Sequence, residues 1–98
     1  MMILKINPLV AEDLSAIKTY IAEDNSSKAL ETIQGIYKQF ENIQQFPHMG
    51  SDLSKRVSFK TDYKYLPWSD YIILYKVRKD AVEIYRVVNR YQDITRIF

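Results

Sequence analysis

The apolar residues of the chain follow a helical period in the first half and an alternating period in the second. Two stretches have helical spacing, formed by Val10, Leu14, Ile17 and Ile21 and then by Leu30, Ile33, Ile36, Tyr37, Phe40 and Ile43. Asn7-Pro8 is typical of a helix start, because Asn is a preferred N-cap and Pro is favoured at the first helical position. The pattern predicts one helix from Asn7 to about Glu23 and, after polar residues 24–27, a second helix that ends at Pro47. The two helices should form a hairpin.

The remaining stretches predict strands. Residues 2–6 alternate before the first helix, and from Val57 onward the spacing becomes alternating and rich in Tyr, Ile and Val. Three strands are predicted here, at residues 63–68, 71–78 and 81–88, with turns at 69–70 and 79–80. The order predicts an α+β fold with an N-terminal strand, a helical hairpin and a three-stranded antiparallel meander. The helices should pack on one face of the sheet and leave the other face available.

The turn at residues 79–80 predicts how the last two strands pair. The predicted pairs are Arg78 with Ala81, Val77 with Val82, Lys76 with Glu83, Tyr75 with Ile84, Leu74 with Tyr85, and Ile73 with Arg86. Lys76 and Glu83 would then form an ion pair across the strands. Arg86 would interrupt an apolar face, which suits either a structural role, bonded to a carboxylate or carbonyl, or a functional one.

Composition narrows the class of protein. The chain has 98 residues, which is enough for one hydrophobic core, so we expect a single domain over residues 1–98. The absence of cysteine excludes disulfides, a thiol nucleophile and a Cys-based zinc site. No apolar run approaches the ~18 residues of a membrane span, and the first residues lack an export signal. We therefore expect a cytoplasmic protein without membrane contact.

Charge and motifs limit the chemistry further. The formal net charge is only +2, but the basic residues concentrate in the second half of the chain. That half suits an anionic partner, although a solvated face that aids solubility would have the same pattern. There is no glycine-rich phosphate loop, and the lone His48 has no partner at metal-ligand spacing. We expect no cofactor and no metal.

The second half of the chain also carries a family resemblance. Its elements are Lys64 on a basic strand, the aromatic-flanked strand Tyr71-Ile-Ile-Leu-Tyr75, the ending Arg86-Val-Val-Asn89-Arg90-Tyr91, and Asp93, while Pro47 and Gly50 close the second predicted helix. In this order the chain resembles toxins of the RelE/ParE superfamily, which belong to bacterial type II toxin-antitoxin systems and include plasmid stabilisation proteins. The resemblance implies a growth-inhibiting toxin that is bound by a cognate antitoxin protein.

The resemblance leaves the target open. One branch of the superfamily poisons DNA gyrase, and the position of Pro67 and the ending at residues 86–93 look closer to it. The other branch is a ribosome-dependent, metal-independent endoribonuclease that cleaves messenger RNA, so whether the chain is an enzyme stays open. A third alternative is a degenerate, non-toxic member that acts as a binding partner or corepressor.

The resemblance also implies site residues. It suggests Arg90, Tyr91 and Arg86 as catalytic residues, and Lys55, Arg56, Lys60, Lys64 and Asn89 as contacts to nucleic acid or to the target. Many members have His at the position of Asn89 and Arg at that of Lys64. Asn cannot act as a general base, and Lys lacks the planar fork of Arg. With Glu83 assigned to Lys76 and His48 outside the cluster, no good general base is evident.

Overall fold

The protein folds into two helices packed against a five-stranded mixed sheet. The computed structural model describes residues 2–92 and 94–98. In chain order its elements are β1 (Ile3–Ile6), α1 (Pro8–Ala22), α2 (Ser26–Gln45), β2 (Ser51–Asp52), a first 3-10 helix (Leu53–Lys55), β3 (Lys64–Trp68), β4 (Tyr71–Val77), β5 (Ala81–Asn89) and a second 3-10 helix (Ile94–Ile97). The predicted α+β class is confirmed. The sheet has two more strands than the predicted meander, because β1 and the short β2 join its edges.

The two helices begin where the sequence predicts. Asn7 caps α1, with its side-chain oxygen accepting a hydrogen bond of 2.9 Å from the backbone N–H of Leu9. Asn25 caps α2 in the same way, accepting from Lys28 N–H at 3.0 Å. Each cap satisfies a backbone donor that the first helical turn leaves unpaired. Among the described residues, neither helix is long and apolar enough to cross a membrane.

The sheet order is β1-β5-β4-β3-β2. β1 runs parallel to β5, with Ile3 opposite Ala81 and Ile6 opposite Ile84, while the other neighbours are antiparallel. A parallel pair requires a crossover connection, and here the helical hairpin begins that connection directly after β1. The hairpin is thereby laid across one face of the sheet.

The face under the helices holds the larger core. Its buried members are Val10, Leu14, Ile36, Phe40, Ile43, Tyr71, Ile73, Tyr75, Val82, Ile84 and Val87. Trp68 also packs against this core. The six-membered ring of its indole lies against Gly35 of α2, where any added Cβ would collide with the ring. Gly35 is therefore needed for the close approach of α2 to β3.

The opposite face of the sheet is covered, so the prediction that it stays available is wrong. The two 3-10 helices lie over it and bury a second core of Leu53, Ile72, Leu74, Val88 and Ile94. The C-terminal Phe98 adds ring contacts to Phe59, Tyr63 and Tyr85 at centroid distances of 5.7, 5.1 and 5.7 Å. The covering segments are short and lack a period, so sequence spacing did not assign them to this face of the sheet.

The predicted pairing of β4 and β5 holds near the turn and fails beyond it. Val77 with Val82, Lys76 with Glu83, and Tyr75 with Ile84 are confirmed. The register then shifts by a residue, so that Arg86 lies opposite Leu74 and Val87 opposite Ile73. The predicted partners Tyr85 for Leu74 and Arg86 for Ile73 are wrong because β5 contains a β-bulge, which places one extra residue on that strand.

The predicted ion pair between Lys76 and Glu83 is also wrong, although the two residues face each other. Lys76 Nζ lies 3.2 Å from Asp62 Oδ1 and 4.4 Å from the centre of the Tyr63 ring. Glu83 instead pairs with Arg78 Nε at 3.4 Å. Long side chains reach diagonal neighbours as readily as direct ones, so register alone does not fix an ion pair.

Candidate functional site

Arg86 is bound to Asp13 of α1 by a two-pronged ion pair. Arg86 Nε donates to one carboxylate oxygen and Nη2 to the other, both at 2.8 Å. The backbone N–H of Val87 donates to the same carboxylate at 3.0 Å. Hydrogen bonding to Asp13 is the main cause that raises the pKa of Arg86 above its ordinary value. The ion pair joins α1 to β5 just beyond the β-bulge, so Arg86 has the structural partner that the sequence left open.

Asp13 is a site residue that the sequence analysis missed. It lies three residues after Val10 and next to Leu14, on the apolar side of α1, with only 11% of its side chain exposed. A lone acid on the apolar face of a helix requires a partner, because a buried charge without one is costly. An acidic residue on the apolar face of the first helix and an arginine on an apolar strand were together the signal in the sequence that could have indicated this ion pair.

The residues that follow β5 form a loop anchored to the turn between β3 and β4. Asn89 Oδ1 accepts from Tyr91 N–H at 2.9 Å, and Asn89 O accepts from Gln92 N–H at 3.0 Å. Arg90 donates its backbone N–H to Asp70 O at 2.8 Å and its Nη1 to Ser69 O at 2.9 Å. Tyr91 is 81% exposed. The loop therefore holds Tyr91 outward on a hydrogen-bonded support.

The basic candidates lie mainly around β2 and the start of β3. Lys55 ends the first 3-10 helix and Lys64 begins β3, opposite Asp52. Hydrogen bonds from Ser54 chiefly lower the pKa of Asp52, and the charges of Lys55 and Lys64 lower it further. Lys60 is exposed on the segment between these elements.

Arg56 connects this basic region with the C-terminal loop. Its guanidinium carbon lies 5.2 Å from the centre of the Tyr65 ring, a cation-π contact. Arg56 also lines a small cavity of about 190 Å³ together with Gln92 and Ile94. The structure thus brings Arg56 to the segment that follows Arg90 and Tyr91.

The one histidine lies away from Arg90. His48 belongs to the segment from Pro47 to Gly50, whose ends are bonded to Tyr75: the hydroxyl donates to Pro47 O at 2.8 Å and accepts from Gly50 N–H at 2.9 Å. Burial raises the pKa of Tyr75 above its ordinary value. Tyr75 is four residues along β4 from Tyr71, the partner of Asn89, which corresponds to roughly 13 Å.

The arrangement is equipped for binding more than for proton transfer. Arg86, Asn89 and Arg90 each make hydrogen bonds within the chain. Within residues 2–92 and 94–98, no three His, Cys, Asp or Glu side chains are grouped as a metal site. The family motif's Asp93 lies outside the described residues. What the site presents outward is an exposed tyrosine, exposed guanidinium and ammonium groups, and a loop held by hydrogen bonds.

Comparisons with known proteins agree with this architecture. No curated protein matches the chain. Among solved structures, a chromosomal ParDE toxin-antitoxin system from P. aeruginosa matches with a TM-score of 0.73 and 26% identity, over 91% of this chain and 96% of that one. The family model for the ParE toxin of the type II toxin-antitoxin system parDE matches residues 4–94. The chain belongs to the ParE toxin family.

Proposed function

We propose that this protein is the toxin of a type II toxin-antitoxin pair and that it inhibits growth by binding DNA gyrase in the cytoplasm. The family description names a ParE toxin, and the match extends from residue 4 to residue 94. Poisoning an enzyme requires a surface that binds it and does not require a set of acid-base residues. The proposed mechanism is therefore one of binding.

The choice of gyrase over RNA cleavage rests on one observation. The side chains of Arg86, Asn89 and Arg90 are each hydrogen-bonded within the chain. RNA cleavage by attack of a 2'-hydroxyl needs a base, an acid and cations free to meet the transition state. Arg86 is bonded to Asp13, Arg90 Nη1 to Ser69 O, and the Asn89 side chain to the backbone of Tyr91. These bonds support a rigid binding surface at the end of β5. Tyr91 and Arg90 are the residues proposed to contact the target.

The basic residues are proposed to contact the DNA held by gyrase. Lys55, Arg56, Lys60 and Lys64 are exposed or half-exposed, and lysine and arginine supply most of the affinity of proteins for nucleic-acid backbones. This part of the proposal predicts that binding to the gyrase–DNA complex weakens steeply as salt rises.

A cognate antitoxin is the proposed regulator. Leu30 and Tyr37 on α2 are 52% and 48% exposed, and the C-terminal Phe98 is 44% exposed. Exposed apolar side chains that lie close together are typical of a surface that a partner covers. An antitoxin segment that folds onto α2 would bury Leu30 and Tyr37, and acidic residues on it would suit the basic half of the chain.

Expression in bacteria under tight control tests the proposal. The wild-type protein should arrest growth, induce the DNA-damage response and leave messenger RNA intact. Arg90→Ala removes the hydrogen bond from the guanidinium to Ser69 O and keeps the backbone bond of residue 90 to Asp70 O. It should weaken the arrest, and co-expression of the antitoxin should abolish it. Cleaved messages without damage signalling would identify the ribosome-dependent nuclease instead. Folded protein that never arrests growth would identify a non-toxic binding partner.

A further inference from the structure

A groove of about 300 Å³ opens between α1 and the end of β5. Its apolar lining includes Ile17 and Tyr20 of α1 and Tyr71 and Val87 of the sheet. Tyr71 and Val87 are buried members of the main core, whereas Tyr20 is 75% exposed. Small-molecule sites are concave and mostly apolar with a few polar groups, and this volume lies at the lower end of their range. The groove therefore has the size and lining of a site for a small molecule.

The charges inside the groove cancel. Among the described residues, Asp13 and Arg86 are the only charged side chains that line it. Two hydrogen bonds of 2.8 Å join them, so each neutralises the other. An ion that entered would lose its water without finding a charged partner. The part of a ligand that enters the groove should therefore be uncharged.

Two exposed amide side chains line the groove at the end of β5. They are Asn89 and Gln92. Asn89 Oδ1 accepts from Tyr91 N–H at 2.9 Å, which leaves the amide N–H groups of Asn89 as donors. Within residues 2–92 and 94–98 the side chain of Gln92 has no hydrogen bond, so its amide offers a donor and an acceptor side by side. A purely apolar occupant would cover these amides without pairing them.

An adenine base complements this set of groups. The amide of Asn or Gln pairs with the N6 and N7 edge of adenine, accepting one hydrogen bond and donating the other. The same edge of guanine presents two acceptors, so an amide matches it less well. Bases also stack on aromatic side chains, and Tyr20 provides an exposed ring. A flat, uncharged adenine thus suits the lining, the charge and the amides of the groove.

Arg90 lies beside the groove, directly after Asn89 in the chain. It is exposed, and within the described part of the chain only Nη1 of its guanidinium is bonded, to Ser69 O at 2.9 Å. Nε and Nη2 remain to donate two parallel hydrogen bonds, the geometry that arginine uses with phosphate. The chain has no glycine-rich phosphate loop. The phosphate of a nucleotide whose base enters the groove would therefore be held by a side chain.

Acidic residues limit where a phosphate can lie. Glu12 and Glu23 line a neighbouring hollow on α1, which shares Ala16 and Tyr20 with the groove. A phosphate would be repelled there and is better placed at the end of β5. Asp70, exposed in the same turn as Ser69, also opposes an anion, so Asp70→Asn should strengthen the binding of a phosphate.

We propose that the groove binds an adenine nucleotide, with Tyr20 stacked on the base, the amides of Gln92 and Asn89 bonded to its edge, and Arg90 holding the phosphate. A free nucleotide and an unpaired adenine in a single strand present the same chemistry to these groups. The site goes beyond the proposed function and does not depend on which target the toxin has.

An NMR titration of the whole protein, labelled with nitrogen-15, tests the site with AMP, adenosine and GMP at millimolar concentrations. AMP should shift the backbone N–H signals of Tyr20, Val87, Asn89 and Gln92. GMP should bind more weakly, because its base does not match an amide. Adenosine should shift the same signals with lower affinity than AMP, because it lacks the phosphate.

Variants assign the interactions one by one. Tyr20→Ala should weaken AMP binding at least about fivefold, the smallest effect expected when a base loses an aromatic stack. Gln92→Leu should remove the preference for AMP over GMP. Arg90→Ala should lower the affinity for AMP to that for adenosine. Tyr37→Ala and Gln34→Leu, at exposed positions of α2, are the matched controls and should bind as the wild type does. Circular dichroism verifies that each variant is folded.

Fluorescence anisotropy with single-stranded oligo(dA) and oligo(dT) identifies the source of the nucleotide. Binding of AMP in the groove that oligo(dA) does not improve supports a free nucleotide. Much tighter binding of oligo(dA) than of AMP or oligo(dT), lost in Tyr20→Ala, supports an unpaired adenine of a strand.

Three results would overturn the site. The first is wild-type protein that binds neither AMP nor oligo(dA). The second is equal affinity for AMP and GMP, or signal shifts confined to the basic residues around β2 and β3, which would show attraction of phosphate without recognition of the base. The third is Tyr20→Ala and Gln92→Leu that both bind AMP as the wild type does.

Discussion

The two faces of the sheet are covered in different ways. Two regular helices cover one face, and their buried side chains include Phe40 and Ile36. Two short 3-10 helices cover the other, with Leu53 and Ile94 buried beneath them and an aromatic group around Phe98 at the rim. The first face is held by long periodic elements and an ion pair, and the second by two short segments, one in the middle of the chain and one near its end. The comparison teaches that the helical face should carry most of the stability and that the second face should yield first.

The largest effect is expected under the helices. Phe40 is fully buried, and Phe40→Ala removes its ring contacts and leaves a cavity between α2 and the sheet. We expect a loss of about 3–5 kcal/mol in the free energy of unfolding, the range for such truncations. Urea denaturation followed by circular dichroism measures it. A loss below about 1 kcal/mol would contradict the assignment of the main core.

The next largest loss of stability is expected from the ion pair of Asp13 and Arg86, on the same face of the sheet. Asp13→Ala leaves Arg86, 25% exposed, without its carboxylate, and leaves Val87 N–H without an acceptor. We expect a loss of about 3 kcal/mol, since removing one partner of a largely buried pair is strongly destabilising. Asp13→Asn should lose less, because the amide oxygen can still accept from Val87. Glu12→Ala, on the exposed side of α1, serves as the control and should be nearly neutral.

The second face should lose less on truncation. Ile94 is buried in its core, and Ile94→Ala should cost about 2 kcal/mol, at the low end for such changes because the chain around it can relax. Hydrogen exchange should show residues 94–98 opening before α2 in the wild type. If Ile94→Ala lowers the free energy of unfolding as much as Phe40→Ala does, the two faces contribute equally to stability and the expected difference between them is wrong.

A smaller loss is expected at the hydroxyl of Tyr75. Tyr75→Phe keeps the ring and removes the two hydrogen bonds that hold Pro47 and Gly50. We expect a loss of about 1 kcal/mol, a typical net value for buried hydrogen bonds. Thermal unfolding measures it, with Tyr37→Phe as the control on an exposed ring. An unchanged midpoint would mean that the segment around His48 is held by other contacts.

The smallest effect concerns pH and the surface pair of Lys76 and Asp62. The hydrogen bond from Lys76 is the main cause that lowers the pKa of Asp62 below 3.8. A lowered folded-state pKa gives stability that is present above pH 3.8 and lost as pH falls through the folded value. The contribution is below about 1 kcal/mol, because the Asp62 side chain is 69% exposed and solvent screens the pair. Lys76→Met should return the pKa of Asp62 toward 3.8, which an NMR titration would detect.

The sequence predicts the regular parts of this fold because their signals are local. Asn7-Pro8 and the helical spacing give the hairpin, and the two-residue turn before Ala81 gives the first pairs of β4 with β5. The bulge in β5 could not be predicted by counting, since an extra residue leaves no mark in composition. The cover over the second face could not be predicted either, because Leu53 and Ile94 belong to segments too short for a period.

The sequence predicted where the candidate site residues lie in the fold better than it predicted their hydrogen-bond partners. The sequence placed Asn89, Arg90 and Tyr91 beyond the last strand. In the structure Asn89 is the last residue of β5, and Arg90 and Tyr91 follow it. It could not say that Arg90 would bond to Ser69, because that contact joins residues 21 positions apart. Arg86 and Asp13 are 73 positions apart, so their pairing depends on how the hairpin crosses the sheet.

Incubation of the purified toxin with purified gyrase, ATP and plasmid DNA is the most direct test of the central claim, that this ParE family member acts by binding gyrase. In parallel, the toxin is incubated with ribosomes that carry a messenger RNA. We expect loss of supercoiling, accumulation of cleaved plasmid held on gyrase, and an uncut message. Cleavage of the message on the ribosome, with gyrase unaffected, would contradict the account.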